Sequence, residues 1–375
     1  MYYAALSAYT VSEHSTRLTG VDKALFFVYN VFSDRVAETR EACDQGSSCG
    51  GSLSFFVRGI FMTKKLLSFD DQIKYLIEDK SLIISDYDYA KAMLQQIGYF
   101  GLISGYKTPF KNPTTKKYLD GVTFDNIVAL YKFDENLREI FLKYIFKIER
   151  HIRVLLSNHF TEKYGESQAH YLKRENYDCT KRNHADIDLL INKLNWIAKS
   201  SKDYPYINHQ RNKYGNVPLW VLINCLSFGS LSKFYQLSTQ DIRAKISKNF
   251  YGVNEKQLHQ YLTVITKFRN VCAHNERLYS YHTKDAIPDT ALHSKLKIPK
   301  KGTEYKYGKR DLFALVIAFR YLLPNDDFKK FKKSLTQIIK HYLDTSDFLS
   351  ESELNKLMGF PDNWKSITRY NRMPQ

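Results

Sequence analysis

Cysteine is scarce. The chain has five in 375 residues, an odd number that argues against a disulfide framework and for a reducing cytoplasm. Cys43 and Cys49 bracket a Gly/Ser loop, Cys179, Cys225 and Cys272 stand alone, and no C-x-x-C or H-E-x-x-H spacing occurs. Cys272 and His274 are near neighbours, yet nothing close by supplies two further ligands, so neither a metal site nor a cofactor is expected. Gly98, Gly101 and Gly105 have the wrong spacing for a dinucleotide loop and follow no strand, which leaves close packing or turns as their role. No apolar run reaches the roughly 18 residues of a spanning helix, so no membrane partner is expected. The apolar run Ala24 to Phe32 is short and lacks a basic leader and a small-residue cleavage site, which makes it a poor secretory signal.

Acid is scarce relative to base. Lys and Arg number 56 against 39 Asp and Glu, a net charge of +17, and an excess of that size points to a polyanionic partner, nucleic acid before membrane. The excess is uneven: residues 1–61 hold Arg17, Lys23, Arg35, Arg40 and Arg58 against six acids, so the basic surface belongs to residues 62–375. Tyrosine (28) and phenylalanine (24) greatly outnumber the three tryptophans. Aromatic plus basic is the composition that stacks bases and holds phosphates, and it is equally that of an AT-rich genome.

What is present is helical patterning. Residues 1–61 read as an extension ending in the connector Asp44 to Ser52, with Met62 as the expected natural start. A helical module over 62–121, a helical domain over 122–345 and a C-terminal segment over 346–375 are expected, with no strand-rich region. Capping-box spacings start helices at Ser68 (to about Lys80) and Ser85 (to about Ile97), and Thr123 caps the longest stretch, to about Tyr164. Its apolar stripe runs Ile127, Leu130, Leu137, Phe141, Tyr144, Ile148, Ile152 and Leu155. Asp134 with Arg138 and Glu149 with Arg153 form i,i+4 pairs expected to be solvated or half-buried; Arg150 and Arg153 reach a phosphate if their face meets the motif described below. Further helices are expected over Ala185 to Ser200, from Pro218 at the first helical position, over Leu231 to Leu237 after a break at Gly229, over Asp241 to Phe250, over Asp311 to Leu323 and over Phe328 to Leu343. Asp241, Arg243, Lys245 and Lys248 read as a solvated face. The loop Lys295 to Arg310 interleaves Lys300, Lys301, Lys306, Lys309 and Arg310 with tyrosines and is the best candidate for tracking RNA, a plain solvated loop being the other reading.

The stretch where residue types and spacing together suggest chemistry is Lys267 to Tyr281, with Arg269 and His274 framing R-x-x-x-x-H and Asn270 following the arginine. Leu258, Leu262, Ile265, Phe268 and Cys272 make one apolar stripe leading into it. On a continuous helix Asn270, His274 and Arg277 share a face, while Arg269 lies roughly 140° from His274. Either the arginine wraps round, the helix deforms near Ala273, or a second copy completes the groove. An imidazole can move a proton near neutral pH, and a guanidinium can hold a phosphate and the charge that builds on it. Together they suit metal-free RNA cleavage. The plainer reading is a helix-terminal histidine on a carbonyl and an arginine in a surface ion pair.

Six blocks in order, Lys65 to Leu76, Gln96 to Tyr106, Thr123 to Arg153, Pro218 to Tyr235, Phe268 to Leu278 and Met358 to Trp364, make residues 62 to 364 resemble the Abi-like abortive-infection family of the AbiD/AbiF type. That resemblance implies an all-α fold with a HEPN-like helical bundle, whose R-x4-6-H motif is associated with metal-independent RNases and which is similar to the nuclease domains of RNA-guided type VI CRISPR effectors. By position it makes Arg269, Asn270 and His274 catalytic; Arg277 and the basic residues above are expected on RNA from their charge and placement. It implies a cytoplasmic homodimer acting on RNA, with a small noncoding RNA as a further partner. A non-catalytic RNA-binding protein is the alternative it leaves open.

Overall fold

The structure, a computed structural model, describes residues 66–370. The expected extension, the connector, the start at Met62, and Cys43 and Cys49 lie outside the described residues. Helix follows helix. α1 (Phe69–Glu78) begins at Ser68, whose hydroxyl accepts the Asp71 N–H. α2 (Tyr87–Ile97) begins one residue later than expected, because Asp86 and not Ser85 is placed to accept the Tyr89 N–H. After a single π-helical turn (Phe100–Ser104) comes α3 (Phe124–Tyr164), with 41 residues, about 60 Å of rod. Thr123 and Asn126 cap it reciprocally. Its expected stripe is buried apart from Leu155, which is partly covered.

The middle of the chain supplies α4 (Gln168–Tyr171), α5 (His184–Lys199), α6 (Pro205–Tyr214), α7 (Leu219–Leu222), α8 (Phe228–Leu237), α9 (Gln240–Ser247) and α10 (Glu255–Ala273). Two expectations are corrected here. Pro218 is the N-cap of α7 rather than its first helical residue, with extended backbone at ψ 151°. Gly229 does not break α8; Ser227 caps that helix upstream, and a Cβ at Gly229 would meet Thr266 of α10 only at ordinary contact distance, 3.5 Å. α6 was illegible because it buries Ile207 alone and so carries no stripe.

Beyond α10 lie α11 (Ala291–Lys295), a small antiparallel hairpin of β1 (Lys300–Lys301) and β2 (Glu304–Tyr305), then α12 (Leu312–Leu322), α13 (Asn325–Thr345) and α14 (Glu351–Met358). The fold is all-α apart from this hairpin, which forms inside the segment expected to be loop, with Gly302 at φ +64° making the turn. α3 is the axis: α8, α9, α10 and α13 pack on it, and α10 also packs on α8, α9 and α12. Phe331 of α13 forms a mutual aromatic cluster with Phe141 of α3 and Phe319 of α12, its ring centroid 5.1 and 5.0 Å from theirs. Leu76, Leu94 and Phe110 from the N-terminal module belong to the same continuous core, and Phe110 meets Phe348 at 5.3 Å. The described residues form one compact unit.

Candidate functional site

α10 carries the motif at its C-terminal end. Asn254 and Gln257 cap the helix reciprocally, and the stripe from Leu258 to Cys272 is buried. The helix stops at Ala273 with His274 as its C-cap. Asn275 takes φ +56°, the Asn275 N–H donates to the Cys272 carbonyl at 3.4 Å, and the Glu276 N–H donates to the Val271 carbonyl at 3.0 Å. This is a Schellman turn with asparagine in the left-handed position usually held by glycine. The single helical face expected for Asn270, His274 and Arg277 therefore does not exist past Ala273. Arg269 is half-buried, while Asn270, His274 and Arg277 are exposed.

Two charged clusters on α3 bracket this turn. The first holds the chain after it. The Asp134 carboxylate accepts the backbone N–H groups of Leu278 (2.8 Å) and Tyr279 (2.6 Å), the Tyr106 hydroxyl (2.7 Å) and the Arg138 guanidinium (2.8 Å). Burial pushes the Asp134 carboxyl up, and these four donors oppose that rise by hydrogen-bonding the charged form. Asp134 and Arg138 are 0% and 4% exposed, so the expectation of a solvated or half-buried pair is corrected: the post-motif backbone takes the place of water. Arg277, expected on RNA, donates to the Gly105 carbonyl at 2.7 Å and closes the turn against the π-helical segment.

The second cluster lies beside the arginine of the motif. Glu149, 4% exposed, is paired with Arg153 and lies in the field of Arg269. Burial raises its carboxyl, and the two guanidinium groups pull it back down. Arg153 also donates to the Leu226 carbonyl at 2.8 Å. The Nε atoms of both Arg153 and Arg269 and Oε2 of Glu149 are buried without a hydrogen-bond partner. Since Arg269 faces Glu149 while residues 276–279 face Asp134 and Arg138, α10 runs antiparallel to α3. Glu149 is the site residue that sequence reading undervalued: the i,i+4 spacing was visible, its burial beside Arg269 was not.

The remaining expected contacts are dispersed. Arg150 is exposed and lines a cleft of about 420 Å³ with His151, Val154 and Leu323. Lys300, Lys301 and Lys306 are exposed around the hairpin, Lys300 lying 4.6 Å over the Tyr305 ring. Arg310 pairs with Glu304 at 2.9 Å. Lys309 does not belong with them: it is 8% exposed, its ammonium given to the Ile287 carbonyl and Asp289. It is a buried structural cation, and the expectation that it tracks RNA is corrected. Nor is Arg243 part of a solvated face, since it donates to the Gln236 and Ser238 carbonyls at 2.7 Å each and to Asp178.

Burial pushes the Cys272 thiol up to about 12, which leaves it an inert neighbour of the motif. Among the described residues no cluster of His, Cys, Asp and Glu suits a metal ion, and no helix is long and apolar enough to cross a membrane. A family model described as Abi-like protein matches residues 92–280, which spans α3, both charged clusters and the motif. Neither curated proteins nor solved structures give a match.

Proposed function

The chain belongs to the Abi-like protein family, and we propose that it serves abortive-infection defence as a metal-independent endoribonuclease built on a HEPN-like helical bundle. The observation that carries this reading is that Arg269 and His274 both sit at one helix end: a half-buried guanidinium, and an exposed residue on a turn pinned by Asn275 and Asp134. In the proposed reaction an RNA 2'-oxygen attacks the adjacent phosphorus and the bond to the 5'-oxygen breaks, leaving a 2',3'-cyclic phosphate and a 5'-hydroxyl. Arg269 holds the phosphate and the charge developing on it. His274 moves the proton as general acid or base, a contribution of about 10²- to 10⁴-fold. Asn270, exposed one residue after Arg269, orients one of these two groups, and Glu149 fixes the guanidinium without touching substrate. One histidine handles one proton at a time, so the reading includes a cytoplasmic homodimer in which a second copy supplies the other. Metal-free cleavage by the wild type and by His274→Ala tests it.

A second reading, an RNA-binding protein that holds a small noncoding RNA without cutting it, draws on a different observation. Arg150, Lys300, Lys301 and Lys306 are exposed and take no part in the proposed cleavage, so they supply cations for binding alone. Tight binding without cleavage favours it.

A further inference from the structure

The arginine side of the site leads into an aromatic surface that the cleavage chemistry leaves unused. Arg153 donates to the carbonyl of Leu226, and the residue before it, Cys225, meets the Tyr206 phenol with Sγ and the hydroxyl oxygen 3.3 Å apart. Tyr206 lies in the first turn of α6, directly after Pro205 at the first helical position. Its ring also packs on that of Tyr204, centroids 5.8 Å apart. The side chain is thus fixed at the hydroxyl by Cys225 and along the ring by Tyr204. Yet Tyr206 remains 43% exposed. An amphipathic side chain anchored at its polar end would ordinarily turn its ring inward. Here the fixed residue stays open to solvent beside two half-buried arginines. Burial and the Cys225 contact push the Tyr206 phenol up to about 12, with the Arg153 charge as the smallest, opposing influence.

A held, open aromatic face beside guanidinium groups is the combination that takes a nucleotide, with phosphate at the cation and base on the ring. We propose that Tyr206 is a base-stacking subsite for the unpaired nucleobase next to the phosphate held at Arg269, in a single-stranded RNA. This rests on the RNA-directed reading above, though not on cleavage. Stacking uses the face that every base offers, so the subsite selects unpaired over paired nucleotides more than one base over another. In a duplex the base faces are already stacked, and the ring has nothing to take.

The test is fluorescence anisotropy with the full chain and a short labelled single-stranded RNA whose 2'-hydroxyls are all methylated, which removes the nucleophile and separates binding from cutting. Tyr206→Ala is expected to weaken binding about 5- to 100-fold, the range set by one base stacked on one aromatic ring. Tyr206→Phe keeps the face and is expected to stay within about twofold of wild type. The same RNA as a duplex is expected to bind all three proteins alike. An abasic scan reads the subsite without relying on the alanine variant: removing one base weakens wild type and Tyr206→Phe by a similar factor, and leaves Tyr206→Ala unchanged. Equal single-strand binding by wild type and Tyr206→Ala, or an abasic scan with no sensitive position, overturns the subsite while the RNA reading stands. Wild-type protein that binds no RNA overturns both.

Discussion

Asp134 on α3 accepts the backbone N–H of Tyr279, 145 positions later in the chain, at 2.6 Å. With the Leu278 N–H beside it, one carboxylate replaces water for the first amides that leave the motif turn. Arg138 returns the charge and Tyr106 adds its hydroxyl. A buried aspartate in this position makes the path of residues 275–279 a property of the core rather than of a loop.

Removing that carboxylate leaves Arg138 uncompensated and two backbone amides unsatisfied. Asp134→Ala is expected to cost about 3–5 kcal/mol, read as a lowered urea midpoint with an unchanged slope. A loss below about 1 kcal/mol would mean that water enters and that the turn does not depend on Asp134.

Asn275 holds the left-handed position at φ +56°. Asn275→Gly is expected to match or slightly exceed wild-type stability, whereas Asn275→Val places a branched side chain where left-handed backbone costs roughly 1–2 kcal/mol. Paired thermal melts check this. Equal melts for the glycine and valine variants would show that the turn adopts another conformation in solution.

Much of this architecture is legible in the residues. The stripe from Ile127 to Ile152, the Thr123 cap and the Leu258 to Cys272 stripe follow from 3.6-residue spacing and capping chemistry, and the structure buries or caps each as expected. What spacing cannot convey is which charges meet other elements. Glu149 and Asp134 look alike in sequence, each four residues before an arginine. Only the antiparallel fit of α10 on α3 gives one to Arg269 and the other to Leu278 and Tyr279. Lys309 was misread for the same reason, since its partners Ile287 and Asp289 lie some 20 residues back. The end of α10 was hidden because an asparagine does the work of a glycine.

The RNA-directed reading divides the basic loop into exposed and buried cations. Lys300→Ala with Lys301→Ala is expected to lower the salt dependence of RNA binding by about 0.7 per charge on single strands, while stability stays within about 0.5 kcal/mol. Lys309→Ala is expected to do the reverse: it leaves the Ile287 carbonyl without its buried donor, costing about 1–3 kcal/mol, with the salt slope unchanged. A Lys309→Ala slope that falls like that of the double variant contradicts the assignment.

Asp311 caps α12 by accepting the Ala314 N–H at 3.0 Å and also takes the Gly308 N–H that ends the basic loop, at 2.8 Å. Burial pushes its carboxyl up to about 6 from the ordinary 3.8, against the pull of those two amides. The native state thus keeps a proton that the unfolded chain has already released. The resulting stabilisation is complete below 3.8 and is lost as pH rises through 6, on the order of 3 kcal/mol. The stability gap between wild type and Asp311→Asn is therefore expected to shift in favour of wild type on acidifying from neutral pH to about 4.5. Guanidinium melts at both pH values measure it, and a shift of opposite sign rules out a raised Asp311.

The central claim is that Arg269 and His274 cut RNA without metal. Its most direct test is incubation of a mixed RNA pool in EDTA with the wild type and with His274→Ala, followed by analysis of the new ends. The account predicts 2',3'-cyclic phosphates and 5'-hydroxyls from the wild type, a loss of about 10²- to 10⁴-fold in His274→Ala, and retained RNA binding by the variant. Tight binding with no cleavage by either protein would contradict it and leave a protein that holds RNA without cutting it.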